Sequence, residues 1–277
     1  MKIWLGDSTG GGLVHEEDAS VSVLDHGFTV GDGVFETMKA VGGQAFALTR
    51  HLARLTRSAR GLGLPDPDLG LVREACAEVL GANPLDGVGR LRVTYTGGVA
   101  PLGSDRGAAP ATLVVALGAA ATRPPTTAVV TVPWTRNENA PTTGLKTTSY
   151  ADNVVMIARA TRQGASEALF ANTAGLLCEG TGSNVFVGIG GRLLTPRTES
   201  GCLAGITRAL VLEWTGAEEA DLPFAALGEA DEVFLTSSLR DVQPVHRVDA
   251  RELPAPGPLT RAAAEAFATR SGADIDP

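Results

Sequence analysis

Cysteine is scarce in this chain: three residues, Cys76, Cys178 and Cys202, among 277. None falls in a CxxC pair, and no histidine stands beside them at a metal-ligand spacing. That excludes a disulfide scaffold and a thiolate zinc site, and reads as reduced thiols. His15, His51 and His246 lie far apart and suggest no metal centre. Positive charge is also in short supply, with 23 Lys and Arg against 31 Asp and Glu and a formal net charge of -8. Such a surface repels polyanions, so neither nucleic acid nor an anionic membrane is expected as a partner. No apolar run approaches the roughly 20 residues that a bilayer crossing needs. The opening MKIWLGDSTGGG has one lysine and a short apolar stretch cut by Gly and Asp, unlike a secretory h-region, and the expected location is cytoplasmic. Internal repeats and low-complexity segments are absent.

What is present is ordinary globular material, 44% hydrophobic and 19% charged, in a chain long enough for two domains. The first half reads as strands MKIWL and VSVLD, then a hairpin of VFETMKA and QAFAL turning at Gly42-Gly43. Helical period takes over at 49–62, with Thr49 as N-cap and Leu52, Leu55, Ala59 and Leu62 on one stripe. A second helix is expected over about 68–80, followed by strands GRLRVTYTG and ATLVVALG. The Ala/Thr/Pro-rich GAAATRPPT at 118–126 marks a boundary, giving an N-terminal α+β domain 1–120, a connector 121–133 and a C-terminal α+β domain 134–277. In the second half come strand AVVTVP, a helix over 150–163, strands EALFA and NVFVGIGGRLLTP, a helix from 205, strand DEVFLTS and a terminal helix. The fold class is α+β, because strands and helices do not alternate as βαβ units.

Five stretches carry chemistry. In GLKTTSYADN, Lys146 falls between a strand and a helix, where a desolvated amine can form a Schiff base. In CEGTGSNVF, Glu179 precedes a turn that aims one carboxylate, as a pyridoxal phosphate (PLP) enzyme needs for its pyridine nitrogen. In GCLAGITRAL, Gly205, Ile206 and Thr207 open a helix whose N–H groups suit a phosphate. Arg54, in RHLARLTRSA, offers a guanidinium for bidentate phosphate contact. Ser238, in FLTSSLRD, adds a hydroxyl. Taken singly, each has an ordinary alternative: a solvated lysine, a turn glutamate, simple helix capping, a solvated basic helix face, a turn cap.

Their order and spacing resemble the class IV (fold type IV) PLP enzymes, which comprise branched-chain aminotransferases, D-amino-acid aminotransferases and 4-amino-4-deoxychorismate lyases. The likeness runs from DHGFTVGDGVFET at 25–37 through HLARL, LK, EGTGSN and LAGITR to DEVFLTSS. It implies two α+β domains of the D-amino-acid-aminotransferase type with PLP in the interdomain cleft, and a homodimer. It also implies Lys146 as the catalytic Schiff-base lysine, Arg54, Ile206, Thr207 and Ser238 around the phosphate, and Glu179 on the pyridine nitrogen. Tyr150 is similar to the family tyrosine that bonds the PLP phenolic oxygen.

Two reactions fit that family. Both begin when a freed lysine amine removes the substrate Cα proton; a transaminase then makes a 2-oxo acid, whereas the lyase expels a group and releases 4-aminobenzoate and pyruvate. Thr96-Gly97-Gly98 stands where many D-amino-acid aminotransferases have an Arg-x-His carboxylate trap, which counts against that activity. Arg106, in VAPLGSDRGAAP, resembles the RG of the lyases and is a candidate partner for a substrate carboxylate, with an exposed loop arginine as the alternative. Phe35 and Arg92 are further substrate-side candidates; Arg92, like Trp134 and Arg136, is equally open to a structural role. Glu36 and Tyr150 look more like the aminotransferases. Likeness to chains described as lyases in GC-rich bacteria, in KTTSYA and WTRNE, makes the lyase the expected activity and the aminotransferase its alternative. A catalytically silent PLP-fold binding module is the third reading, and the joint presence of Lys146, Glu179 and Arg54 argues against it. Asp25 and His26, as strand neighbours facing opposite ways, are expected to be structural.

Overall fold

A computed structural model describes residues Met1–Pro277. The chain divides into two compact units, the first made of Met1–Ala121, Leu145–Ser149 and Ile275–Pro277, the second of Thr122–Gly144 and Tyr150–Asp274.

The first unit contains β1 (Lys2–Asp7), β2 (Gly10–His15), α1 (His26–Thr29), β3 (Gly33–Val41), β4 (Gln44–Ala45), α2 (Leu48–Leu62), α3 (Leu69–Ala82), β5 (Val88–Thr96) and β6 (Thr112–Ala119). Its strands form one six-stranded antiparallel sheet in the order β2-β1-β6-β5-β3-β4. Alternate residues of β5 and β6 are buried, as expected for a sheet covered on one face. Leu91, Val93, Leu113, Val115 and Leu117 meet Leu52, Leu55 and Ala59 of α2 and Val72, Cys76 and Val79 of α3 in a single core. The helical stripe read from the sequence is the packed one.

Three local expectations change. Residues 21–25, VSVLD, are not a strand: Ser22 accepts Leu24 N–H on its hydroxyl and Asp25 N–H on its carbonyl, which turns the chain and leaves Val21, Val23 and Leu24 exposed. Asp25 caps the short α1 instead, so the strand argument for it and His26 fails, although both are buried structural residues. Asp25 accepts hydrogen bonds from Gly27 N–H and the Thr96 and Thr112 hydroxyls. Conversely, Gly10–His15 is a strand despite three glycines, because it pairs with β1 along all six of its residues. Helix α2 starts at Leu48 rather than after a Thr49 cap; Thr49 N–H and hydroxyl both donate to the Asp276 carboxylate, at 2.8 and 2.6 Å. A cap supplied from 227 residues away has no local signature.

The second unit holds β7 (Thr127–Thr131), α4 (Ala151–Arg162), β8 (Glu167–Ala171), β9 (Leu177–Gly180), β10 (Asn184–Ile189), β11 (Arg192–Pro196), α5 (Ile206–Trp214), β12 (Glu218–Ala220), β13 (Glu232–Ser237), β14 (Asp241–Val248), β15 (Arg251–Glu252) and α6 (Pro258–Ala273). Eight strands run β12-β11-β10-β13-β14-β7-β8-β9, with β15 paired to β14. The expected connector 121–133 is therefore not a linker: β7 lies inside this sheet, parallel to both β14 and β8. Nor is 134–277 one piece, since Leu145–Ser149 and Ile275–Pro277 belong to the first unit. Ala128 and Val130 of β7 pack with Phe170 and Met156, while Val129 packs with Leu169, Val187 and Leu235. Both faces are covered, which is why EALFA reads as an unbroken apolar run.

Replacing Asp25 with Ala leaves two hydroxyls and one N–H without their acceptor and is expected to cost about 1–3 kcal/mol. Denaturant unfolding checks this; an unchanged midpoint would show that the turn is held by other bonds.

Candidate active site

In the first unit, the site is organised by β3. Glu36 lies on the face shared with Val34 and Met38, against α2, and is fully buried. Its Oε1 accepts Arg54 Nε–H at 2.8 Å, and its Oε2 accepts Arg54 Nη2–H at 2.7 Å and His51 Nδ1–H at 2.6 Å. Burial raises the proton affinity of the Glu36 carboxyl, but Arg54 and then His51 outweigh it and hold the group well below the usual carboxylate range. Burial lowers the His51 pKa below 6.5, and the pull of Glu36 in the other direction does not restore it. His51, Arg54 and Ser58 share the buried stripe of α2 at i, i+3 and i+7.

Lys146 is placed by the same strand. Phe35 N–H donates to the Lys146 carbonyl at 3.0 Å, Thr148 N–H donates to Gly33 O at 2.8 Å, and Lys146 N–H donates to Ser58 Oγ at 3.2 Å. The backbone on both sides of the lysine is thus fixed. Gly31, with φ +71°, allows this approach: a Cβ there would stand 2.5 Å from Ser149 Oγ. Lys146 Nζ lies 4.3 Å from the Phe35 ring centroid, and the Arg92 guanidinium lies 3.8 Å from the same centroid. Arg92 Nε–H also donates to Thr94 Oγ1 at 3.2 Å. Both cations lie against the same ring and are held by its negative quadrupole.

Arg106 takes a different course from the one expected. Its Nε–H and one Nη2–H grip Asp32 at 2.6 and 2.5 Å, and further N–H groups donate to Leu62 O and Gly63 O at 2.7 and 2.6 Å. Two of its five donors hold loop 97–111 to the end of α2 and two hold it to Asp32 ahead of β3, so Arg106 anchors the loop here, and a substrate carboxylate would have to displace Asp32.

In the second unit, Glu179 lies in β9, just ahead of the turn at 180–183. Its Oε2 accepts Leu203 N–H at 3.0 Å and lies 3.4 Å from Asn184 Nδ2; its Oε1 lies 3.8 Å from Arg136 Nη2. Asn184 Nδ2–H also donates to Leu203 O at 2.8 Å, joining the carboxylate to the loop before α5. That helix begins at Ile206 behind Gly205, which has no side chain to cap it, and Thr207 is buried in its first turn. Tyr150 stands immediately before α4, and Ser238 is half-buried after β13.

Sequence reasoning missed the buried supports of these groups. Glu167 accepts Thr181 N–H at 2.9 Å, the Thr181 hydroxyl and Ser183 Oγ–H at 2.9 Å, so it shapes the EGTGSN turn from below. Its signal was a carboxylate heading the apolar strand EALFA. Glu36 gave the same kind of signal in VFETM.

Each unit carries groups that suit PLP: the first has the Lys146 amine and the buried Arg54 guanidinium with a fixed fork, the second an oriented Glu179 carboxylate and an uncapped helix N-terminus with Thr207 in its first turn. Comparison with known proteins agrees. Residues 33–248 match the family described as amino-transferase class IV. A putative branched-chain-amino-acid aminotransferase of Methanocaldococcus jannaschii is 34% identical over 268 residues, covering 91% of this chain and 89% of that one. A bifunctional aminodeoxychorismate lyase / D-amino acid transaminase of Mycobacterium tuberculosis is 33% identical over 255 residues, covering 81% and 84%. Among solved structures, a fold IV transaminase from Curtobacterium pusillum superposes with a TM-score of 0.89 at 28% identity, covering 98% of each chain. This chain is a member of the class IV aminotransferase family, a PLP-dependent enzyme of fold type IV.

Glu36→Gln keeps the shape but leaves the Arg54 charge buried without a counter-ion, and should cost on the order of 3 kcal/mol. Because the folded pKa of His51 is lowered, the unfolded chain binds its proton first, and stability should fall as pH drops below 6.5. Thermal unfolding from pH 8 to 5 measures this, and His51→Gln should flatten the slope; an undiminished slope would place its source elsewhere.

Proposed function

We propose that the chain is an aminotransferase that moves an amino group between a small amino acid with an apolar side chain and a 2-oxo acid. The observation that carries this reading is the Phe35 ring, with Lys146 Nζ on it and Arg92 beside it. An apolar side chain packs on such a ring, and a guanidinium meets the substrate carboxylate. PLP, when bound, supplies a carbonyl carbon that condenses with amines and a ring that delocalises the charge left at Cα. Lys146 Nζ would be the amine that holds the cofactor and, once free of it, the base that takes the substrate Cα proton and carries it as an ammonium proton. Glu179 would keep a proton on the pyridine nitrogen, its carboxylate oriented by Leu203 N–H and Asn184. Thr207, Ile206, Ser238 and Arg54 are the residues that would hold the phosphate, and Tyr150 the one that would meet the phenolic oxygen. The acting form is a homodimer.

Aminodeoxychorismate lysis is the second reading, favoured by the relative whose name carries both activities. It weakens because Arg106, its proposed carboxylate partner, is engaged with Asp32.

Holoenzyme given a branched-chain amino acid and 2-oxoglutarate should form glutamate faster than it forms 4-aminobenzoate and pyruvate from aminodeoxychorismate without an acceptor. The reverse order of rates overturns the aminotransferase reading. Lys146→Ala should lose turnover by several orders of magnitude while unfolding at a near-native temperature, since its side chain supplies chemistry rather than core packing; native-like turnover would refute the role given to the amine.

A further inference from the structure

A pocket of about 440 Å³ opens in the second unit between the stretch Pro133–Arg136 and the first turns of α4. It is lined by Trp134, Arg136, Asp152, Val155, Met156 and Phe170, and by none of the residues assigned to the cofactor. Its size falls within the range of small-molecule sites. Trp134, Val155, Met156 and Phe170 make one part of the wall aromatic and apolar, and Arg136, Thr135 and Asp152 make the rest polar. Arg136 is one-quarter exposed, and Nη2 makes its side-chain contacts at long range, 3.5 Å to Asn153 Oδ1 and 3.8 Å to Glu179 Oε1. Its plane rests over Phe170, 5.0 Å from the ring centroid, and most of its N–H donors have no protein acceptor.

A second cation adjoins the same wall. Arg159 lies 5.7 Å from the Trp134 ring centroid, and its buried Nε has no hydrogen-bond partner. Unpaired guanidinium donors around an aromatic cleft favour an anion with an apolar body. Trp134 itself is 44% exposed, a large apolar surface on the pocket wall.

We propose that this pocket binds a small aromatic carboxylate, with the carboxylate on Arg136 and the ring against Trp134 and Phe170. A ligand amino group, where present, falls towards Asp152 at the rim. None of the residues that line it is assigned to the cofactor, although Arg136 also pairs with Glu179, and its existence does not depend on which reaction the enzyme catalyses.

Benzoate is the probe, titrated into holoenzyme by calorimetry and by tryptophan fluorescence. Two variants are compared with the parent protein: Arg136→Gln removes the charge, and Val155→Trp fills the pocket from an exposed position on α4. Saturable binding with one benzoate per chain is expected, weakened roughly tenfold or more in Arg136→Gln, in line with the strength of charge-assisted hydrogen bonds. Val155→Trp should lose binding and keep the absorbance of bound PLP. Non-saturable quenching, or binding that survives unchanged in Val155→Trp, overturns the proposal; the second result would put benzoate at the amino-donor site instead. If Arg136→Gln does not fold, Val155→Trp decides alone.

Discussion

The first unit depends on one buried carboxylate. Glu36 sits on the helix-facing side of β3, where the neighbouring core positions are Val34 and Met38, and an isolated charge there would be prohibitive. It is tolerated because Arg54 meets both of its oxygens and His51 meets one. The same bonds fix the Arg54 fork, since Nε and Nη2 are both directed at Glu36. Two rotatable side chains on α2 are thereby turned into a rigid extension of the sheet. A buried ion pair of this kind adds little net stability over an apolar core, so its value lies in holding the guanidinium in one orientation.

Because Phe35 adjoins Glu36 in the strand, its ring faces the other way, towards Lys146 and Arg92. One strand therefore separates two environments: a dry ion cluster against the helix and a cationic aromatic surface on the opposite face. The chain returns to this strand at Leu145–Ser149 and lays the lysine backbone along it through Phe35, Gly33 and Ser58. The second unit uses the same device. Glu167, buried beneath the turn at 180–183, shapes it, and Asn184 and Leu203 orient the Glu179 carboxylate beside α5.

Much of this was legible in the chain. The α2 stripe, the buried strands and the position of Lys146 between a strand and a helix follow from periodicity and from short local patterns. Lys146, Glu179 and the start of α5 stood out as candidates because amines, carboxylates and helix ends each have a chemistry of their own. What escaped is non-local. The Asp276 cap of α2, the return of Leu145–Ser149 to the first sheet and the anchoring of Arg106 by Asp32 join residues dozens to hundreds of positions apart, and no local window contains both partners. VSVLD misled because its alternating apolar residues satisfy a strand pattern, while its backbone bonds are taken by Ser22. Arg106 was open to two readings in the sequence because a loop arginine beside glycine looks the same whether it awaits a ligand or holds a loop.

The central claim is that one amine carries the covalent chemistry. The chain has only three lysines, Lys2, Lys39 and Lys146, which makes the claim easy to read out. Holoenzyme reduced with borohydride, digested and mapped by mass spectrometry should carry the pyridoxyl group on the peptide that contains Lys146 and on no other. A label on Lys2 or Lys39, or a protein that retains no cofactor after reduction, would contradict it.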